Sequence, residues 1–190
     1  LSDGMGNPDA TPSGKIDWSD VIIFGPGVSS SEYSLEFGGK LISEVEEPMV
    51  IDADGLKIFK DNLDLINKSE DIILTPHPGE LSNITGVKIK DIKDDIIGFA
   101  RDFVGKYECT LVIKGPHTVT VSEDGEVAVN ATGNPSLATG GTGDVLTGII
   151  ASLVAQGLSC FDAAVTGTSL HGAAADVGVE DLGFRGLVAG

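Results

Sequence analysis

The densest chemistry in this chain lies in five consecutive residues, Gly140-Gly141-Thr142-Gly143-Asp144. They precede the apolar run DVLTGIIASLVAQG, which puts them at the start of a predicted helix. Glycines can turn their N–H groups toward one point without side-chain interference. A helix start leaves amide donors unpaired and carries partial positive charge. Together these features make a site for a phosphate or a developing oxyanion. No Lys-Ser or Lys-Thr follows the glycines, so this is not a Walker A loop. Asp144 has two readings. It would cap the helix, worth roughly 1 kcal/mol. Beside a phosphate cradle it would instead act as a general base, taking the proton of a substrate hydroxyl as that oxygen attacks phosphorus.

Other residues qualify less sharply. Asn134 and Thr139 lie in the long loop over residues 130–144, where each would either orient phosphate or cap a turn. Asp52 and Asp54 follow an apolar run, and turn capping is the simpler role. The alternative is an influence on magnesium through water. Gly25-Pro26-Gly27 reads as a tight turn at a strand end, without the G-x-G-x-x-G spacing of a dinucleotide fingerprint. The three histidines, His77, His117 and His171, are far apart and lack metal-site spacing. His171, on an Ala-rich predicted helix, reads as a satisfied core or interface residue. Cys109 reads as a core hydrophobe. Cys160 falls where a helix begins, which would lower its thiol pKa, with a structural role as the simpler reading.

The elements that must position these residues alternate. Residues 21–25 and 49–54 read as strands, the second leading into a turn and a short helix around Leu56, Ile58 and Phe59. Residues 32–45 carry a helical pattern with Leu35, Leu41, Ile42 and Val45 as core candidates. A third strand, from residue 71, ends at Pro76 and Pro78. Residues 88–106 predict one helix, with Ile89, Ile92, Ile96, Phe99 or Ala100, and Phe103 inward. A strand follows at 110–115. The runs 118–122 and 126–130 flank Glu123-Asp124-Gly125 as a β-hairpin. The helix after Asp144 predicts a buried face of Val145, Leu146, Ile149, Ile150, Leu153 and Val154, with Gly157 as its stop. A last helix, rich in small residues, covers roughly 160–177. Strands alternating with helices imply a mostly parallel sheet covered on both faces, with ligands beyond the carboxyl ends of its strands.

Composition narrows the partners. The chain has 190 residues, 29 acidic and 12 basic, and a formal charge of −17. That balance argues against nucleic acid and against anionic membranes. With only Arg101 and Arg185 as arginines, a phosphate-bearing ligand must be held largely by backbone N–H groups. The acidity could reflect a salty cytoplasm, which activity across a salt series would test. No signal peptide or membrane-length apolar run is evident, so a cytoplasmic location is the default. The polar first twenty residues read as a loop entering a strand, and the GFRGLVAG end as the beginning of another glycine-rich segment. Both ends look like cuts through a larger fold, so residues 1–190 are expected to form a single, partial catalytic domain.

The segments GPG (25–27), VIDADGL (50–56), ILTPHPGELSNITG (73–86), VIKG (112–115), NATGNPSLATGGTGDVLTGIIASLVAQG (130–157) and HGAAAD (171–176) follow one another in the order found in a known family. In them the chain resembles the ADP- or ATP-dependent NAD(P)H-hydrate dehydratases of the ribokinase-like superfamily. TPHPGE together with GNPSLATGGTGD is highly specific. The resemblance implies a three-layer α/β/α fold and a lyase reaction. A nucleotide phosphorylates the ring hydroxyl of hydrated NADH or NADPH, and phosphate then leaves with push from the ring nitrogen. Magnesium would arrive with ADP or ATP.

The resemblance also assigns roles. Asp144 is the base and touches the substrate, with Gly27 and His77 as further substrate contacts. The bland alternative for His77 is a loop histidine held by Glu80. Gly143 lies against the nucleotide, as do Lys114, Gly115, Pro116, His117 and Thr118. Lys114 would bring charge to the phosphates or simply cap its strand, and a side-chain role for His117 is doubtful. Asn134, Thr139, Gly140, Gly141 and Thr142 would complete the phosphate loop. Ser29 stands where the family usually has a further glycine. Family members commonly form homotetramers, and association with an NAD(P)HX epimerase domain is a further implied partnership. The family domain carries additional residues ahead of this region, supplying early strands and part of the substrate pocket. The chain would then be either a piece accompanied by the rest or a remnant that binds weakly, with an exposed sheet edge as a liability. Two rivals remain. A kinase of a thiazole or pyrimidine alcohol shares the anion site, but TPHPGE argues against it. A noncatalytic nucleotide-binding subunit is opposed by the intact Asp144.

Overall fold

A computed structural model describes Ile16 and residues 18–189. The polar entry segment expected over the first twenty residues lies mostly outside them. Three short apolar runs with β-branched residues form parallel strands: β1 (Ile22–Phe24), β2 (Met49–Ile51) and β3 (Ile72–Leu74). Next comes β4 (Thr110–Ile113), then β5 (Val119–Val121) and β6 (Val127–Val129). The sheet order is β1-β2-β3-β4-β5-β6, parallel through β4 and antiparallel beyond it. The β5–β6 turn is the one expected at Glu123-Asp124-Gly125. Gly125 adopts φ 81° there, a left-handed value that glycine reaches without strain.

Strand alternation sorts the core into two layers. Met49, Ile51, Ile72, Leu74, Leu111 and Ile113 point to one face. They pack there with α1 (Glu32–Glu44), two 3-10 segments (Ala53–Phe59 and Leu63–Lys68), α2 (Pro78–Thr85), α3 (Ile89–Asp94) and α4 (Ile96–Val104). Val50, Ile73 and Val112 point to the other face, under α5 (Thr142–Ala155) and α6 (Cys160–Gly186). The expected helix-sheet-helix sandwich follows directly from this alternation.

Several sequence expectations need correction. The single helix expected over 88–106 breaks at Asp95 (φ −142°, ψ 73°), whose Oδ1 accepts from Gly98 N at 2.9 Å. The Asp side chain caps α4 in preference to continuing α3. Ile89 is consequently exposed, while Ile92, Ala100 and Phe103 are buried. On α5 the buried stripe is Leu146, Ile150 and Val154 with Thr147 and Ala151. Val145 lies off that stripe and is 41% exposed. The last helix runs past residue 177, because no helix-terminating conformation occurs before Gly183 (φ 67°, ψ 165°). Cys109 is buried as expected. The Cys160 thiol is not activated: burial, then the Asp71 carboxylate beside it, pushes its pKa up to about 12. Among the described residues, no helix is long and apolar enough to cross a membrane.

Candidate active site

The carboxyl ends of β1, β2 and β4 meet at one point. Gly25 (φ 127°) lets the loop after β1 lie against the carbonyl of Asp52, where a β-carbon would collide. Gly27 (φ 70°) has open space around it, so its requirement is conformational. Ser29 faces the start of α1, with its hydroxyl 3.2 Å from that of Ser34.

Asp52, at the end of β2, is 1% exposed. It stands at an N-cap position but makes no side-chain cap, which corrects the expected capping role. Instead Lys114 Nζ donates to its Oδ1 at 2.6 Å, and Thr147 Oγ1 donates to its Oδ2 at 2.9 Å. Burial alone would raise the Asp52 pKa. The Lys114 ammonium, the two side-chain hydrogen bonds and the Ala53 amide outweigh it and hold the carboxyl below its usual range. Ala53 adopts φ 49°, a left-handed conformation costing about 1 kcal/mol for a residue with a β-carbon. Asp54, by contrast, turns aside to Lys57 at 2.6 Å and Ser30 at 3.1 Å.

Lys114 does more than cap its strand. Its ammonium lies 3.6 Å from the position a β-carbon would take on Gly143, and Asp52 Oδ2 lies 3.7 Å from that position. Glu80 Oε2 approaches the same ammonium at 4.0 Å. Of the turn after Lys114, Gly115, Pro116 and His117 are exposed, and the Thr118 hydroxyl lies 3.4 Å from Gly115 N and 3.3 Å from Gly115 O.

The mouth of α5 is open. Its N-cap is Gly141 (φ 89°, ψ −17°), with no side-chain cap. The amides of Gly143 and Asp144 donate to no other described residue, whereas Val145 N already bonds Gly141 O at 3.1 Å. Asp144 is exposed, and its carboxylate makes no hydrogen bond or ion pair with any described residue. The capping reading therefore does not hold for it. Gly140 and Gly141 are exposed at the same mouth.

Other loop candidates are spent on the loop itself. Asn134 Oδ1 accepts from Ser136 N at 3.1 Å and so caps the 3-10 segment Pro135–Ala138. Thr139 Oγ1 donates to Ser136 O at 3.1 Å, and Thr142 Oγ1 turns inward to Leu137 O at 2.6 Å. Asp176, from the HGAAAD segment on α6, pins the loop by accepting from Gly133 N at 2.8 Å and Asn134 Nδ2 at 2.9 Å. For Asn134 and Thr139, turn formation is the role the geometry supplies.

His77 is the N-cap of α2. Its Nδ1 accepts from Gly79 N at 3.0 Å and Glu80 N at 3.2 Å, while Glu80 Oε2 accepts from His77 N at 2.8 Å. Two donors at Nδ1 require its lone pair, so the ring proton sits on Nε2. Nε2 lies 3.6 Å from Glu80 Oε1, and the side chain is 56% exposed. His171 is half-buried, with its pKa lowered by that burial, and is remote from this cluster in the chain. Among the described residues, no three His, Cys, Asp or Glu side chains converge to hold a metal ion. Sequence reasoning missed Thr147 and the loop-pinning Asp176. A lone threonine between apolar helix positions was the available signal for the first.

The six-stranded, mostly parallel sheet covered by helices on both faces is a ribokinase-like α/β fold. Ribokinase from Thermotoga maritima (TM-score 0.62, 13% identity) and hydroxyethylthiazole kinase from Pyrococcus horikoshii (TM-score 0.72, 16% identity) share this fold. Within that class, the chain belongs to the NAD(P)H-hydrate dehydratase family, which it matches over residues 5–188. It is 42% identical to an ADP-dependent (S)-NAD(P)H-hydrate dehydratase of Neisseria meningitidis, covering 80% of this chain and 53% of that one. It is 40% identical to a bifunctional NAD(P)H-hydrate repair enzyme of Moorella thermoacetica, covering 90% of this chain and 32% of that one. The ADP/ATP-dependent NAD(P)H-hydrate dehydratase of Bacillus subtilis, co-crystallised with ATP/Mg2+, superposes with a TM-score of 0.81 at 32% identity, over 90% of this chain and 60% of its own. The chain thus spans about a third to a half of these curated relatives.

Proposed function

We propose that this chain supplies the catalytic site of an ADP- or ATP-dependent dehydratase that restores NADH or NADPH from their hydrates. One observation carries the reading. A carboxylate, Asp144, stands beside amides at an uncapped helix start, none of them paired with another described residue, with a lysine ammonium against Gly143. This combination offers both a base and a phosphoryl-binding surface.

The amides of Gly143 and Asp144 bind the transferring phosphoryl group, and Lys114 adds positive charge beside it. Asp144 takes the proton of the ring hydroxyl while that oxygen forms its bond to phosphorus and the donor's bridging P–O bond breaks. The ring nitrogen's lone pair then expels phosphate from the carbon that bore the hydroxyl. Loss of a proton from the neighbouring carbon completes the dihydropyridine. Phosphate leaves far more readily than hydroxide, which is why the nucleotide is needed. Asp52 is committed to Lys114 and Thr147, and the described residues form no ready-made cation cage, so the donor set suits magnesium carried in on the nucleotide. Magnesium would neutralise charge on the phosphates. His77 and Gly27 border the hydrated ring, and the turn over 114–118 borders the nucleotide. The dehydratase-named relatives favour this reading over a vitamin-alcohol kinase. Bifunctional relatives support association with an epimerase domain, and a homo-oligomer is the assembly we expect.

The test incubates the full-length protein with hydrated NADH, Mg2+ and either ADP or ATP, following the absorbance of restored NADH. Nucleotide-dependent recovery is expected. Phosphorylation of a thiazole or pyrimidine alcohol without any recovery would establish the kinase instead. Nucleotide binding without either reaction would leave a noncatalytic subunit.

A further inference from the structure

We propose that Thr147 is a positioning residue for phosphoryl transfer, acting through Asp52 to hold the Lys114 ammonium at the mouth of α5; this rests on the dehydratase reading above. Thr147 is 1% exposed, one turn into α5, and its hydroxyl has a single proton. Two acceptors compete for it: Asp52 Oδ2 at 2.9 Å and Gly143 O at 3.1 Å. The hydroxyl therefore ties the carboxylate at the end of β2 to the peptide that forms the helix mouth.

Lysine is a flexible point charge and does not fix its own direction. Lys114 lies between two carboxylates, Asp52 at 2.6 Å and Glu80 at 4.0 Å. Asp52 directs it only if the carboxylate itself cannot rotate. Each Asp52 oxygen has its own side-chain donor, Lys114 on one and Thr147 on the other. Removing the hydroxyl leaves Oδ2 short of a donor in a buried site. The carboxylate then turns to offer both oxygens to the ammonium and draws it from Gly143.

The test compares T147V with T147S in the full-length protein. Calorimetry measures affinity for a non-hydrolysable ATP analogue with Mg2+, and steady-state kinetics separates kcat from KM. T147V should weaken analogue binding about tenfold and lower kcat, with KM for hydrated NADH unchanged. T147S, which restores the donor, should recover most of the affinity. Wild-type affinity in T147V, whatever its melting temperature, would overturn the proposal. T147C keeps the side-chain volume with a weak donor and reads the same quantity should T147V not fold. If the wild type binds the analogue yet dehydrates no substrate, the dehydratase reading fails, while the affinity contrast still decides the role of Thr147.

Discussion

Helices α2 and α5 both begin near the carboxyl ends of the parallel strands, and both carry an acidic residue three positions after the N-cap. At α2 that residue, Glu80, reaches back to the His77 amide while His77 Nδ1 takes two amides in return. Pro78 has no N–H to satisfy. The mouth of α2 is closed by its own side chains. At α5 the N-cap is Gly141, which offers no side chain, and the carboxylate of Asp144 pairs with none of the described residues. The N-cap side chain and the length of the acidic side chain both differ, and only the longer Glu80 reaches back to its N-cap amide. The open mouth gives up only a few tenths of a kcal/mol of cap stabilisation, because glycine is a tolerated N-cap, and keeps its donors for a ligand.

The contrast can be attacked from either end. The largest effect should come from D144N, which ought to lower the dehydration rate by about 10²–10⁴-fold in a steady-state assay. Stability should fall by no more than about 1 kcal/mol, the helix-dipole contribution of a first-turn carboxylate, because Asp144 has no side-chain partner among the described residues. Full activity at unchanged stability would return Asp144 to a decorative role. Next is D52A, which breaks a buried ion pair and should destabilise the fold by about 3 kcal/mol in denaturant titration. The same pair has a pH signature. Because the Asp52 pKa is held below its ordinary value, its contribution is complete above about pH 5 and is lost as pH falls through the lowered pKa. The gap between wild type and D52A should therefore narrow in acid and stay constant above that range. The smallest effect belongs to the closed mouth. H77A removes a cap and should cost about 1 kcal/mol. It should also weaken hydrated-substrate binding while leaving nucleotide affinity intact. The reverse pattern would exchange the two assignments.

Legibility followed the range of the interactions. The strands, the β5–β6 hairpin, the uncapped glycine-rich start of α5 and the His77–Glu80 pairing all depend on residues within a few positions of one another, and local pattern reveals them. The break at Asp95 was hidden because the apolar spacing runs through it undisturbed, while one side chain decides the backbone. Exposure of Val145 and Ile89 depends on which neighbour covers each helix face. The pairing of Asp52 with Lys114 and Thr147 joins residues 62 and 95 positions apart, a distance at which no sequence pattern operates. Asp52 and Lys114 were each visible as polar residues at strand ends. That one holds the other follows only from parallel strands bringing their ends together. For Asn134 and Thr139, loop composition left two roles open, and the pairing of the Asn134 amide with Asp176 on a distant helix has no local sequence signal.

The open mouth of α5 is tested most directly by calorimetric titration of G143A with a non-hydrolysable ATP analogue and Mg2+. Gly143 has ordinary helical geometry, and an added β-carbon would meet Lys114 and Asp52 only at van der Waals distance. The protein should therefore fold normally, with stability unchanged or raised by up to about 1 kcal/mol. The methyl group would nonetheless stand beside the Lys114 ammonium and crowd a phosphoryl group held at that helix mouth, so binding should fall by at least about tenfold. Wild-type affinity in a folded G143A protein would mean that the nucleotide's phosphates lie somewhere else.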